Sequence, residues 1–361
     1  MEKGIEKLIK TIDSGREGFN KGLSSGLSKL DSLTYGVIRE NITLVGGSSG
    51  AGKSSLTLFQ SVYNPYVELV KSNYSFNVHW LIFSYEMSET SLLMRLLSMH
   101  LYDEYGLVVS HADLMSFEGK LPDEIYEKVK ESLPWLNEFK KRCTIVDKPT
   151  TARKMYGICK SFAEAHGKFV PSNSWEKNGE EYESFDYVPN DPLQYLIVLW
   201  DHVKLISTQQ GHTSKQEIDE MCQYAIYFRD KCRFTWYIVQ QLNRAFQDMS
   251  RRTEAGGAYQ DIQLSDFSDT GDTVNASNTV EAIFFPYRER LTKWKDYIID
   301  PKRGGLGERG RTVSVLKNRD GQADKFVGIA FYGESHIWKE LPKANEINDY
   351  SIYQTLDNLQ T

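Results

Sequence analysis

Gly47 to Ser54 reads GSSGAGKS, a complete G-x-x-x-x-G-K-[ST] phosphate loop, and it follows the apolar run Ile42-Thr43-Leu44-Val45 directly. Such a loop works only between a strand and a helix. The turn then aims backbone N–H groups and the positive helix end at phosphate oxygens, so the chain around it must be α/β. Gly47, Ser48, Ser49, Gly50, Ala51, Gly52, Lys53, Ser54 and Ser55 form the expected nucleotide cradle. The glycines permit positive φ, Lys53 can reach the β/γ-phosphates, and the Ser54 hydroxyl can ligate Mg²⁺, so ATP or another nucleoside triphosphate with Mg²⁺ is the expected cofactor pair. A flexible Gly/Ser loop before an ordinary helix is the bland alternative. The apolar Leu56, Leu58 and Phe59 that follow weigh against it.

From residue 30 onward, apolar strand-like runs alternate with helical patterns. Strands are expected at 41–45, 78–84, 143–146, 193–200 and 235–239, with helices starting near Lys53, Glu89, Thr151 and Lys215. This alternation predicts a mostly parallel, twisted sheet flanked by helices. Residues 23–340 then make one principal domain, with a C-terminal tail at 341–361. Ahead of it, residues 1–22 read as a short amphipathic helix and linker, with Ile5, Leu8, Ile9 and Ile12 at helical spacing. That helix can pack on a neighbouring subunit or fold back on its own domain.

The net charge of −6 gives no global basic field, so any nucleic-acid contact must be local. The N-terminus lacks a signal-peptide core, and the longest apolar run, Leu196 to Trp200, is far too short to span a bilayer; a cytoplasmic protein without membrane contact is expected. Cys143, Cys159, Cys222 and Cys232 lack zinc-site spacing and read as buried free thiols.

Two stretches break the alternation. Residues 168–191 carry six acids against Lys168 and Lys177, and suggest an acidic surface insertion, a hairpin turning at Asn178-Gly179. Residues 288–319 carry ten Lys and Arg against four acids. A solvated face would explain that excess, and so would a polyphosphate partner or a neighbour's nucleotide.

Phosphoryl transfer needs a carboxylate for the metal and another to activate the attacking water. Asp201 ends the buried run Leu196 to Trp200, which puts it at the mouth of a parallel sheet, where it can serve Mg²⁺ with Ser54. Glu86 follows the run His79 to Ser84 and can polarise a water, although a Glu there also starts helices. Gln241 follows a further strand and can hydrogen-bond a γ-phosphate, although surface amides are common.

Together these residues resemble the hexameric replicative DNA helicases of the DnaB type, with their RecA-like P-loop ATPase cores. GLSKLDSLTYGV (26–37) is similar to the segment before the family's phosphate loop, and FSYEMSETSLLMRLLS (83–98) to its F-S-x-E-M-S motif and R-L-L helix. LIVLWDHVKLI (196–206) resembles the metal-binding strand, QQLNR (240–244) the S-Q-L-N-R motif and KNRDG (317–321) the K-x-R-N-G motif. The resemblance runs over about residues 23–335. It implies that Glu86 activates water, Asp201 serves the metal, Gln241 senses the γ-phosphate, and Lys317 and Arg319 act in trans on an adjacent subunit's triphosphate. It also implies a homo-oligomeric ring of six subunits moving 5′-to-3′ on single-stranded DNA in replication, with a primase or loader as partner.

The sequence departs from the family at one loop and at its start. Where the family's DNA loop reads D-L-R-E-S-G, this chain has Asp266-Phe267-Ser268-Asp269-Thr270-Gly271, so the arginine is Ser268. Asp269 and Gly271, with Arg244, Arg251 and Arg252 upstream, remain the candidate nucleic-acid contacts. The family's N-terminal helical domain is expected to be lacking, which together with the divergent loop suggests a phage-type member acting in the bacterial cytoplasm. The alternatives are a RecA-like strand-pairing recombinase and a non-unwinding ATP-binding loader or regulator.

Overall fold

The structure is a computed structural model that describes residues 2–18, 20–177, 180–243, 261–356 and 358. Its thirteen strands are β1 (Ile42–Gly47), β2 (Val78–Ser84), β3 (Cys143–Val146), β4 (Gly167–Lys177), β5 (Glu180–Pro189), β6 (Tyr195–Asp201), β7 (Phe234–Gln241), β8 (Thr279–Phe284), β9 (Lys293–Trp294), β10 (Tyr297–Ile298), β11 (Gly310–Asn318), β12 (Lys325–Tyr332) and β13 (Ile337–Glu340). The helices are α1 (Glu2–Arg16), α2 (Ser28–Thr34), α3 (Lys53–Leu58), α4 (Asn64–Lys71), α5 (Glu89–Tyr105), α6 (His111–Leu114), α7 (Asp123–Lys141), α8 (Ala152–His166), α9 (Ser214–Cys232) and α10 (Gly271–Ala276).

Nine strands form one sheet in the order β13-β12-β11-β8-β1-β7-β6-β2-β3. The six from β8 to β3 are parallel, and β11, β12 and β13 extend the sheet as antiparallel neighbours. This is the mostly parallel sheet with flanking helices that the alternation predicts. Every residue of β1, β6 and β8 is buried, as required of strands covered on both faces, and Trp80, Trp200, Trp236 and Trp338 fill the layers. The β1, β6 and β7 strands each run one to two residues past their expected ends, because pairing with neighbours continues up to the loops that build the site.

The acidic insertion is indeed a hairpin. β4 and β5 pair antiparallel from Gly167↔Pro189 to Lys177↔Glu180, while the expected turn residues Asn178 and Gly179 lie outside the described residues. Residues 341–356, read from sequence as a tail, pack back on the domain, because Leu341, Tyr350, Tyr353 and Leu356 are apolar and buried. Tyr332 OH donates to the Tyr353 carbonyl at 3.0 Å, fixing that return. By contrast, α1 leaves Ile5, Leu8, Ile9 and Ile12 about half exposed or more. The four cysteines are free and buried. Among the described residues, no helix is long and apolar enough to cross a membrane.

Candidate active site

The end of β1 sets the site. Gly50 and Gly52 adopt φ of +73° and +103°, which turns the chain into α3, and a Cβ on Gly52 would lie 2.7 Å from the Trp338 ring. Around this turn lies a cavity of about 540 Å³, lined by loop residues Ser49, Gly50 and Gly52 to Ser55, by Glu86, His202 and Gln241, and by Arg95, Phe331 and His336. Four separate strand ends therefore deliver chemistry to one place: β1 the loop, β2 Glu86, β6 Asp201 and His202, and β7 Gln241.

Lys53 is buried, with Nζ donating to the Ser48 carbonyl at 3.0 Å. Desolvation pushes its pKa down to about 8, and the nearby carboxylates of Asp201 and Glu86 oppose that shift. Asp201 is 2% exposed, and burial pushes its carboxyl up to about 6 against a hydrogen bond from Ser54 and the charges of Lys53 and Arg95. Its Oδ1 has no hydrogen-bond partner. A buried carboxylate with an orphaned oxygen, bonded to a serine hydroxyl at the phosphate loop, is the all-oxygen donor set that Mg²⁺ takes, so the residues fit the expected cation.

Several site residues escape the sequence reading. Arg95, on α5, is largely buried, and desolvation lowers its pKa while Asp201 and Glu86 raise it. It sits within the quoted FSYEMSETSLLMRLLS stretch, and its spacing among the buried Leu92, Leu96 and Met99 could have marked it as inward-facing. Phe331, His336 and Trp338 come from the β12–β13 hairpin, far along the chain from the loop, and carry no local signal. Burial drives His336 down to about 3, so it is a neutral ring near Ser55, whose Oγ lies 3.4 Å from Nδ1.

The basic segment 288–319 divides between two tasks. Arg288 donates to the Ser49 carbonyl, and Arg311 donates to Ala51 O at 3.2 Å, Glu308 O at 2.6 Å and Gly310 O at 2.9 Å, with its guanidinium 3.1 Å from the Phe285 ring centroid. Both cations bond the protein's own phosphate loop, Arg311 from a buried position and Arg288 from an exposed one. Lys317 and Arg319 lie elsewhere. Thr312 pairs with Phe284, one residue beyond Ile283, the partner of Gly47, whereas Asn318 pairs with Thr279, level with Thr43. The five steps along β8 from Thr279 to Phe284 span about 17 Å, so Lys317 and Arg319 occupy the opposite edge of the sheet from the phosphate loop.

Of the candidate nucleic-acid contacts, Arg244, Arg251 and Arg252 lie outside the described residues. Asp269 falls in the 3₁₀ stretch Leu264–Thr270, and Gly271 opens α10.

Residues 22–167 match the family described as DnaB-like helicase C terminal domain. That stretch, well under half of the chain, is similar to the DnaB-like helicases. The match spans the phosphate loop and Glu86 and ends before Asp201, Gln241, Lys317 and Arg319. Two solved structures share the fold over nearly the whole chain. One, described as an ATPase domain, is 15% identical with a TM-score of 0.66, covering 94% of this chain and 98% of its own. The other, a DnaB-like replicative helicase described with its interactions with primase, is 16% identical with a TM-score of 0.65, covering 95% of this chain and 67% of its own. The sequence matches no curated protein. The DnaB-like, RecA-type core expected from the motifs is thus the fold observed.

Proposed function

We propose that this DnaB-like chain is an ATP-driven helicase or translocase whose subunits form a six-membered ring around single-stranded DNA, with hydrolysis occurring between subunits. The observation that carries this reading is the convergence of Lys53, Ser54, Glu86 and Gln241 on one cavity, with the buried Asp201 bonded to Ser54 beside it, while Lys317 and Arg319 sit at the opposite sheet edge. In it, the loop amides and Lys53 hold the phosphates, Ser54 and Asp201 hold Mg²⁺, Glu86 accepts the proton of the attacking water, and Gln241 reports the γ-phosphate. The cation, when bound, neutralises phosphate charge.

Lys317 and Arg319 are too far from their own loop to serve it, so they act on the triphosphate of an adjacent subunit, and the half-exposed apolar face of α1 supplies subunit contact. Strand contact falls to the segment around Asp269 and Gly271, with Arg244, Arg251 and Arg252. A primase or loader is a further partner, and replication in the cytoplasm is the setting.

The test is the ATPase rate with and without single-stranded DNA, together with forked-duplex unwinding and the oligomeric mass with nucleotide bound. A rate that ignores DNA, on protein that cannot open the fork, sinks the helicase reading. Ser268, in place of an arginine, favours one second reading: a non-unwinding ATP-dependent loader, which would hydrolyse ATP in a ring yet leave the fork closed. A strand-pairing recombinase would instead give open filaments. Action in trans has its own check, since mixing inactive Arg319→Ala and Glu86→Ala subunits should restore hydrolysis at interfaces that combine an intact base with an intact finger.

A further inference from the structure

Lys317 and Arg319 have partners within their own subunit. Lys317 Nζ donates to the Val274 carbonyl at 2.7 Å, and Arg319 Nη2 donates to the Asn275 carbonyl at 3.0 Å. Both acceptors belong to the last turn of α10, where carbonyls lack intrahelical donors and the helix end attracts cations. The Lys317 ammonium is partly desolvated there, which lowers its pKa. The Arg319 backbone N–H also donates to Asn278 O at 3.0 Å, so the strand end is fixed while the long side chains are held only by their tips.

The helix they cap leads straight out of the segment assigned above to strand contact. At its root that segment is fastened to the nucleotide core. Phe267 is fully buried, with its ring against Gly46 of β1, where any Cβ would collide with it. Gln240 donates to the Phe267 carbonyl at 3.0 Å and accepts from Thr273 Oγ1 at 2.7 Å. Gln240 is itself the neighbour of Gln241 in the site cavity, pointing to the other face of the sheet because strand side chains alternate. Residues 264–276 are therefore held at one end beside their own nucleotide site and at the other by the pair proposed to reach a different one.

A single ammonium or guanidinium tip cannot serve the helix end and a neighbour's phosphate at once. A phosphate oxyanion adds the attraction of opposite charges to these cationic donors, and a guanidinium can meet it with two parallel bonds, so a triphosphate within reach takes the cations away from a neutral carbonyl. We propose that Lys317 and Arg319 alternate between the carbonyl end of α10 in their own subunit and the triphosphate of the adjacent one. Nucleotide in one site thereby uncaps α10 and loosens the strand-contacting segment of the next subunit. The inference rests on the trans assignment above.

Hydrogen–deuterium exchange of the full chain, read in peptides covering residues 271–277, tests it. In nucleotide-free protein, Lys317→Ala and Arg319→Ala should each speed exchange there about two- to fivefold, the effect of losing one favourable helix-end contact. In wild-type rings assembled with a non-hydrolysable ATP analogue and no DNA, exchange in the same peptides should rise by a similar factor. The double variant should show no further rise with the analogue, a response that a merely structural cap would not produce. Wild-type rings that exchange at the nucleotide-free rate overturn the alternation while leaving the ring and its hydrolysis intact. If the analogue assembles no ring, the trans reading falls and this inference falls with it.

Discussion

Arg311 and Arg319 stand near opposite ends of β11, and they differ in everything except residue type. Arg311 is 5% exposed, stacked on Phe285 and bonded to three carbonyls, one of them in the phosphate loop. Its burial pushes the guanidinium pKa down to about 9, a cost the surrounding acceptors offset only while the fold is intact. Arg319 is exposed and keeps a single side-chain bond to a helix-end carbonyl. A cation packed on all sides is a brace, whereas one held by its tip can change partners. Position along one strand thus separates a buried, braced arginine from an exposed one held by its tip.

The largest expected effect falls on the exposed end. Arg319→Ala should lower ATP turnover by about 10³-fold while nucleotide affinity stays put and the melting temperature falls by no more than the few degrees that one lost helix-end contact costs. Steady-state hydrolysis beside a fluorescent-nucleotide titration decides it, and parallel loss of binding would erase the contrast with Arg311. At the braced end, Arg311→Met should destabilise the fold by about 3–4 kcal/mol, through unpaired buried carbonyls and lost packing, and weaken nucleotide binding about tenfold. Arg311→Lys should not rescue it, because an ammonium cannot supply the planar fork; denaturant unfolding of both variants checks this.

Between the two arginines, on the adjoining β8, lies Glu281, buried, paired with Val45 on one side and Val315 on the other and accepting a hydrogen bond from Gln60 Nε2 at 3.0 Å. Desolvation pushes its carboxyl up to about 7 from 4.5. A folded-state pKa raised above the unfolded one means the folded state holds the proton longer, so its contribution is fully present below about pH 4.5 and is lost as pH rises through about 7. Glu281→Gln should therefore stabilise the protein by about 2–3 kcal/mol at pH 8 and by almost nothing at pH 4. Equal effects at the two pH values would show that Glu281 is not the buried proton site. The smallest effect belongs to Glu340, whose carboxylate accepts from the Lys29 and Leu30 N–H groups at 2.8 and 3.0 Å and caps α2 from β13. Glu340→Gln should cost about 1 kcal/mol in thermal unfolding, with hydrolysis unchanged.

Much of the site was legible because its parts are local. The glycine turn, the acid ending a buried strand and the Glu after another each announce themselves by a short apolar run followed by a functional group, and parallel strands carry all such groups to one edge. Arg95 was within a quoted motif and could have been read from helical spacing. Phe331 and His336 could not, since their proximity to the loop depends on an antiparallel extension that folds the last third of the chain back over β8. The basic segment was only partly legible for the same reason. Its charge excess is visible in composition, but which cations turn inward depends on the register of β11 against β8 and on Phe285 lying under Arg311.

The sequence by itself determined the phosphate cradle, the mostly parallel α/β core and the identity of the groups that end its strands, because those follow from residue type and spacing along short stretches. Only the tertiary structure decided that Arg288 and Arg311 brace the loop while Lys317 and Arg319 face the opposite edge, and that Gln240 anchors residues 264–276 beside the site. Those are contacts between distant parts of the chain, and strand pairing and burial set them, not any local pattern.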